Sequence, residues 1–360
     1  MKRGSFGLSF AVALVTLFLV TPLPAAFLYV VNPHESIIGF SIDSTGSLQA
    51  VPGSPFSVDA QSIAVDPTGK FAYAVDEDSG RVLAYRIGSD GSLNSISSYA
   101  AGAAFAVTVD ASGKFVYITS FNTGQIYGYE IGSNGTLTSV TGSPFSVGKA
   151  PSVLAIEPIR EFMYISTDIA VSQPGQPTKP KYLVSAYSIQ ADGSLSALAK
   201  LRLTPPKVPN SEAAADPNGK FIYGPINGHD ISGFEVGAEG DLKPLAHSLF
   251  SVPSGPVTLA VDSSGKWLYV ADFNQGEVSG FAIDESNGAL KSIPGSPFVA
   301  GTGPNTMGID PTDTFLYVAN ADSSSISGYR INSGGVLTPI PGSPFVITPS
   351  AEPLSLVIAP

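Results

Sequence analysis

The sequence predicts an all-β fold, a seven-bladed β-propeller built from four-stranded antiparallel blades. Three observations carry this. A strand motif occurs seven times, an acidic turn recurs at spacings of 44, 47, 59, 46 and 48 residues, and the last segment supplies a strand that the first copy lacks. A period in this range marks a repeat architecture and outranks any local reading of the chain.

The motif is aromatic-x-Tyr. It stands at Phe27-Leu28-Tyr29, Phe71-Ala72-Tyr73, Phe115-Val116-Tyr117, Phe162-Met163-Tyr164, Phe221-Ile222-Tyr223, Trp267-Leu268-Tyr269 and Phe315-Leu316-Tyr317. A further strand follows around Phe40, Tyr85, Tyr129, Tyr187, Phe234, Phe281 and Tyr329, and then a Gly-x-Leu turn, from Gly46-Ser47-Leu48 to Gly335-Val336-Leu337.

Six of the aromatic strands are preceded by a short apolar run and an acidic anchor: Asp66, Asp110, Glu157, Asp216, Asp262 and Asp310. In Asp66-Pro67-Thr68-Gly69 the carboxylate bonds the backbone ahead, proline presets φ and glycine accepts positive φ, which is the chemistry of a tight turn. Each period therefore runs strand, turn, strand, loop, strand, turn, strand. Two residues before each anchor stands a small or β-branched residue: Ala64, Thr108, Ala155, Ala214, Ala260 or Gly308. Alternation at period two puts these on one sheet face. A strand close to the axis of a radial array needs one such slim face.

The first aromatic strand has no anchor strand ahead of it. Ser355-Leu356-Val357-Ile358-Ala359-Pro360 matches Ser62-Ile63-Ala64-Val65-Asp66-Pro67 in pattern. Pairing it beside Phe27–Val31 closes the ring and leaves only short, protected blade edges.

Residues 1–26 carry Lys2 and Arg3, an apolar stretch from Phe6 to Val20 and a small-residue exit at Pro24-Ala25-Ala26. This is the layout of a secretory signal peptide, too short for a comfortable span. The expectation is an extracytoplasmic protein, periplasmic or secreted, whose residues 27–360 form one propeller domain with no membrane span after cleavage. The chain has no cysteine, which excludes disulfides, thiolate zinc sites and cysteine nucleophiles. A net charge of -11, with 18 scattered Lys and Arg, argues against nucleic acid as a partner. A monomer is expected.

Asp-Pro-x-Gly-Lys-Phe-x-Tyr, the Gly-Tyr-x-Ile strand, Gly-x-Leu, and the phrase Pro-Gly-Ser-Pro-Phe at Pro52–Phe56, Pro294–Phe298 and Pro341–Phe345 resemble the propeller lactonase family. That group holds 6-phosphogluconolactonase-like and carboxymuconate-cyclase-like proteins and borders on the YVTN-repeat surface propellers. The resemblance implies the same ring fold, a site at the channel mouth where His and Arg hold an anionic lactone, and, in some members, an axial divalent metal.

The residues five and four before each anchor line that mouth. They are Gln61 and Ser62, Phe105 and Ala106, Ser152 and Val153, Ser211 and Glu212, Val257 and Thr258, Asn305 and Thr306, then Leu354 and Ser355. Only Glu212 ionises. General acid–base work needs a titratable pair within reach of substrate, and this ring lacks one. Gln61, Ser152, Ser211, Glu212, Thr258, Asn305, Thr306 and the loop residue His229 are the candidate ligand-binding residues, with Glu212 the one catalytic candidate.

A second ring at the strand ends includes Asp76, Asp272 and Asn320, which with Glu212 offer oxygen ligands to calcium or another divalent cation. Asp and Asn at such places also cap strand ends by bonding loop backbone. No cofactor is required. His34 and His229 fall in loops on the mouth face and read either as proton carriers or as exposed histidines without partners, the latter favoured because no Ser-His-acid or metal-ligand spacing surrounds them. The fourth repeat carries a Pro-rich insertion at 168–181, which is either a lid or an idle loop.

Three functions stay open on this reading. One is a binding or interaction module whose polar mouth takes a small neutral molecule, a glycan or a protein loop. The second is a lactone hydrolase, and the third an axial-metal hydrolase.

Overall fold

The computed structural model describes residues 26–168, 182–198, 213–226, 228–253, 255–347 and 351–360. Residues 1–25, nearly all of the 168–181 insertion, Ser211 and Glu212 lie outside the described residues. No helix among the described residues is long and apolar enough to cross a membrane.

Seven antiparallel sheets follow one another along the chain. In the second blade the order is Ser62–Val65, Phe71–Asp76, Arg81–Ile87, Leu93–Ala100, from the inside outward. The aromatic strands are buried on both faces, because each sheet packs against the next. That accounts for their unbroken apolar runs.

In the first blade the aromatic strand Ala26–Asn32 pairs with Ser355–Ala359, in the register Phe27 to Ala359, Tyr29 to Val357 and Val31 to Ser355. The ring closes as the pattern predicts, although the strand begins at Ala26, inside the segment read as an export sequence. The slim residues do meet the neighbouring blade. A side chain at Gly308 would come within 2.9 Å of Leu356 on the next innermost strand.

The acidic anchors build the turns they predict. Asp110 is buried, and its Oδ1 accepts the backbone N–H groups of Lys114 at 2.9 Å and Phe115 at 2.6 Å. Asp66, Asp216 and Asp262 repeat these bonds. Glu157 has a longer side chain and instead takes the N–H groups of Ile159 and Arg160, with the Arg160 guanidinium 3.4 Å away.

Each motif tyrosine fastens its blade to the next. Its hydroxyl donates to the carbonyl of the Gly-x-Leu glycine one blade on: Tyr29 to Gly91 at 2.7 Å, Tyr117 to Gly193 at 2.9 Å, Tyr223 to Gly288 at 2.8 Å, and finally Tyr317 to Gly46 at 2.7 Å across the ring closure. Tyr73, Tyr164 and Tyr269 complete the set of seven. The acceptor glycines have positive φ, and a Cβ on Gly91 would stand 2.5 Å from the Phe27 ring. Only glycine suits both demands.

The Pro-Gly-Ser-Pro-Phe phrase breaks the outermost strand in two, so that both Leu48–Ala50 and Phe56–Ser57 pair with Ser36–Ile42. Its serine replaces a lost ladder bond: Ser54 Oγ accepts Gly39 N–H at 3.0 Å. Ser296 and Ser343 do the same for Gly280 and Gly328, as does Ser143, from the related phrase at Thr141–Phe145, for Gly128.

Candidate functional site

The innermost strands of all seven blades enclose an axial cavity of about 930 Å³. Its middle is lined by apolar residues such as Val107, Leu259, Met307 and Leu356, and one end by Gln61, Ser62, Thr258, Asn305, Thr306 and Ser355. All six are residues that the sequence reading set on the inner ring, and the structure places them on the cavity wall. Of Ser152 only the backbone is described, at the start of Ser152–Glu157.

Part of this polar ring also joins blades. Ser62 Oγ accepts Val107 N–H at 3.4 Å, Ser355 Oγ accepts Ile63 N–H at 3.3 Å, and Asn305 Nδ2 donates to the Pro353 carbonyl at 3.2 Å. A hydroxyl that accepts in this way still has its own proton to donate.

The one ionisable side chain among the described lining residues is Asp262. It is 3% exposed, and its carboxylate is occupied by the N–H groups of Lys266 and Trp267 and by the Ser264 hydroxyl. The one charge on the described cavity wall is therefore buried and met by protein donors. Beside the mouth, Phe105 and Phe121 are 42% and 46% exposed and stand as a tilted pair with ring centroids 5.6 Å apart. Phe105 itself lines the cavity.

The strand-end residues make capping bonds. Asp76 Oδ1 accepts Ser79 N–H at 2.8 Å, and Asp272 Oδ1 accepts the N–H groups of Asn274 and Gln275. Asn320 takes Gly301 N–H and donates to Ser325 and Ser327. These three residues stand on the second, sixth and seventh blades.

The histidines differ from each other. His229 is exposed in the hairpin after Phe221–Ile226 and does not line the cavity. His34, read from sequence as a histidine without partners, has two: Nδ1 lies 3.2 Å from Asp59 Oδ1, and Nε2 lies 2.8 Å from Gln61 Nε2. Asp78 completes a group of three possible ligands whose donor atoms all lie within 4.8 Å of one another. Sequence spacing gives no sign of this group, because its members come from three loops of two blades.

Comparison with known proteins places this geometry. A model of the seven-bladed β-propeller lactonases matches residues 28–152, 181–300 and 258–350. Among solved structures, the periplasmic gluconolactonase of Pseudomonas aeruginosa superposes with a TM-score of 0.70 at 19% identity, covering 93% of this chain and 99% of its own. A Bacteroides uniformis protein, provisionally described as a 6-phosphogluconolactonase, superposes with a TM-score of 0.75 at 17% identity, covering 92% and 99%. At these identities the likeness is one of fold. No curated protein sequence matches the chain. The family model covers most of the chain and spans the blades that form the mouth, so the protein belongs to the lactonase family of seven-bladed β-propellers.

Proposed function

We propose that the channel mouth binds a neutral, cyclic, hydroxyl-rich small molecule, such as a sugar, a sugar lactone or the end of a glycan. The observation that carries this reading is the absence of a free charge from the described cavity wall, together with the amide and hydroxyl groups of Gln61, Ser62, Thr258, Asn305 and Thr306. Recognition of a phosphate or carboxylate favours arginine forks, and none lines the described wall. The exposed Phe105 suits the apolar face of a ring.

Calorimetry against glucose, glucono-lactone and 6-phosphogluconate tests this reading. Neutral compounds should bind, and the phosphorylated one at least ~10-fold more weakly. Gln61→Ala and Asn305→Ala should each weaken binding by about 10-fold, the worth of one ligand hydrogen bond. Tighter binding of the phosphorylated compound would overturn it.

A second reading, lactone hydrolysis, draws support from family membership and from the gluconolactonase neighbour, whose named substrate class is a neutral cyclic ester. Turnover of glucono-lactone in the same series decides between holding the ring and opening it. We further propose that the protein works outside the cytoplasm, on the signal-peptide layout of residues 1–26. N-terminal sequencing of the mature chain should then begin close to Ala26, and an intact Met1 would remove that placement.

A further inference from the structure

We propose that His34, Asp59 and Asp78 form a binding site for a divalent transition metal, zinc being the best fit, on the rim between the first and second blades. The group is separate from the strand-end residues Asp76, Asp272 and Asn320. His34 comes from the hairpin joining Ala26–Asn32 to Ser36–Ile42, Asp59 from the link to the second blade, and Asp78 from the turn between Phe71–Asp76 and Arg81–Ile87.

One separation is already that of two ligands, and all three donor atoms lie within 4.8 Å of one another. Two donors held at ~2.0–2.2 Å by one tetrahedral zinc stand about 3.3 Å apart. His34 Nδ1 and Asp59 Oδ1 are already at 3.2 Å. Asp78 and His34 are exposed, so Asp78 can close the remaining gap by turning its side chain. A metal at Nδ1 would take the place of the contact between Nδ1 and Asp59, with the neutral imidazole then carrying its proton on Nε2.

Charge and the second nitrogen agree with this assignment. Among the described residues neither carboxylate is paired with a lysine or arginine. A cation would relieve their mutual repulsion. On the other side of the ring, Gln61 stands 2.8 Å from Nε2. A half-turn of its amide presents Oε1 to the Nε2–H, the outer bond that fixes metal-bound histidines. An imidazole in the set disfavours calcium, which takes six to eight oxygens, and favours zinc, cobalt or nickel. Solvent would fill the remaining positions. Because Gln61 also lines the cavity, the bound cation would lie one side chain from the mouth.

The test uses the EDTA-treated full chain, titrated with cobalt by visible absorption and with zinc by calorimetry. One metal per chain is expected. His34→Gly removes the imidazole and suits the left-handed backbone there (φ 58), so the fold should survive it. This variant should bind at least ~100-fold more weakly, and Gln61→Leu ~10- to 100-fold more weakly, the usual cost of an outer-shell loss. Asp78→Asn should weaken binding, whereas Glu77→Gln in the same turn should not. No saturable uptake by the native chain, or equal affinity after His34→Gly, would overturn the site.

Discussion

Raising the pH above 10 should unfold the protein in one steep step. The seven motif tyrosines are completely buried. Burial pushes each of their hydroxyls well above the ordinary phenol range, and nearby carboxylates such as Asp66 and Asp110 add to the effect. Tyr329 is likewise pushed up, to about 12.

The sign follows from linkage. A folded-state value above the unfolded value of ~10 means that the stability is fully present below pH ~10 and is lost as pH rises towards the folded value. Over that interval the seven motif tyrosines alone account for seven protons that the unfolded chain releases and the folded chain keeps. At roughly 1.4 kcal/mol per proton and pH unit, stability falls by about 10 kcal/mol per unit. Total stabilities of ~5–15 kcal/mol then run out near pH 11. Tyrosinate absorbance should rise together with the loss of β-sheet circular dichroism. If all 14 tyrosines titrated smoothly near pH 10 with the sheet signal intact, this account of the blade contacts would fail. Tyr117→Phe, which removes the bond to Gly193, should cost about 1 kcal/mol at neutral pH and make the alkaline transition less steep.

The second large effect is expected from removing Leu354–Pro360. Ser355–Ala359 is the innermost strand of the first blade, and its side chains belong to two hydrophobic clusters. Leu356 and Ile358 pack with Leu28, Val30 and Phe315, and Val357 and Ala359 with Tyr29 and Ile63. At ~1.5–3 kcal/mol for each large apolar side chain, the loss approaches the whole stability of an ordinary domain. The shortened chain should be insoluble or lack a cooperative thermal transition, and Leu356→Ala should cost about 2–4 kcal/mol. A shortened chain melting within about 5 °C of the full one would show that the ring does not depend on its closing strand.

What the sequence made legible was the part of the fold that every repeat restates. Asp66, Tyr73 and Gly91 each have a local or next-blade partner of fixed type, so their recurrence spells out strands, turns and blade number. The closing strand was legible for the same reason, because Ser355–Pro360 copies Ser62–Pro67. The role of Pro-Gly-Ser-Pro-Phe was not, since the bond from Gly39 to Ser54 crosses between strands and leaves no periodic trace. The site divides in the same way. The place of Gln61, Thr258 and Asn305 on the cavity wall was legible because their distance from the anchors is constant. His34, Asp59 and Asp78 occur once, in three loops, and only the curvature of the ring decides that they meet.

The hydroxyl-to-glycine bonds also set an order of assembly. Six of them join residues 62 to 76 positions apart, whereas Tyr317 to Gly46 spans 271. Closing a long loop adds little to the equilibrium cost, because that entropy grows only with the logarithm of length, but distant pairings slow the search. Six seams can therefore be stitched while the chain is still being made. The seventh waits for the final residues, and until they arrive the first blade is the open flank of an unfinished circle.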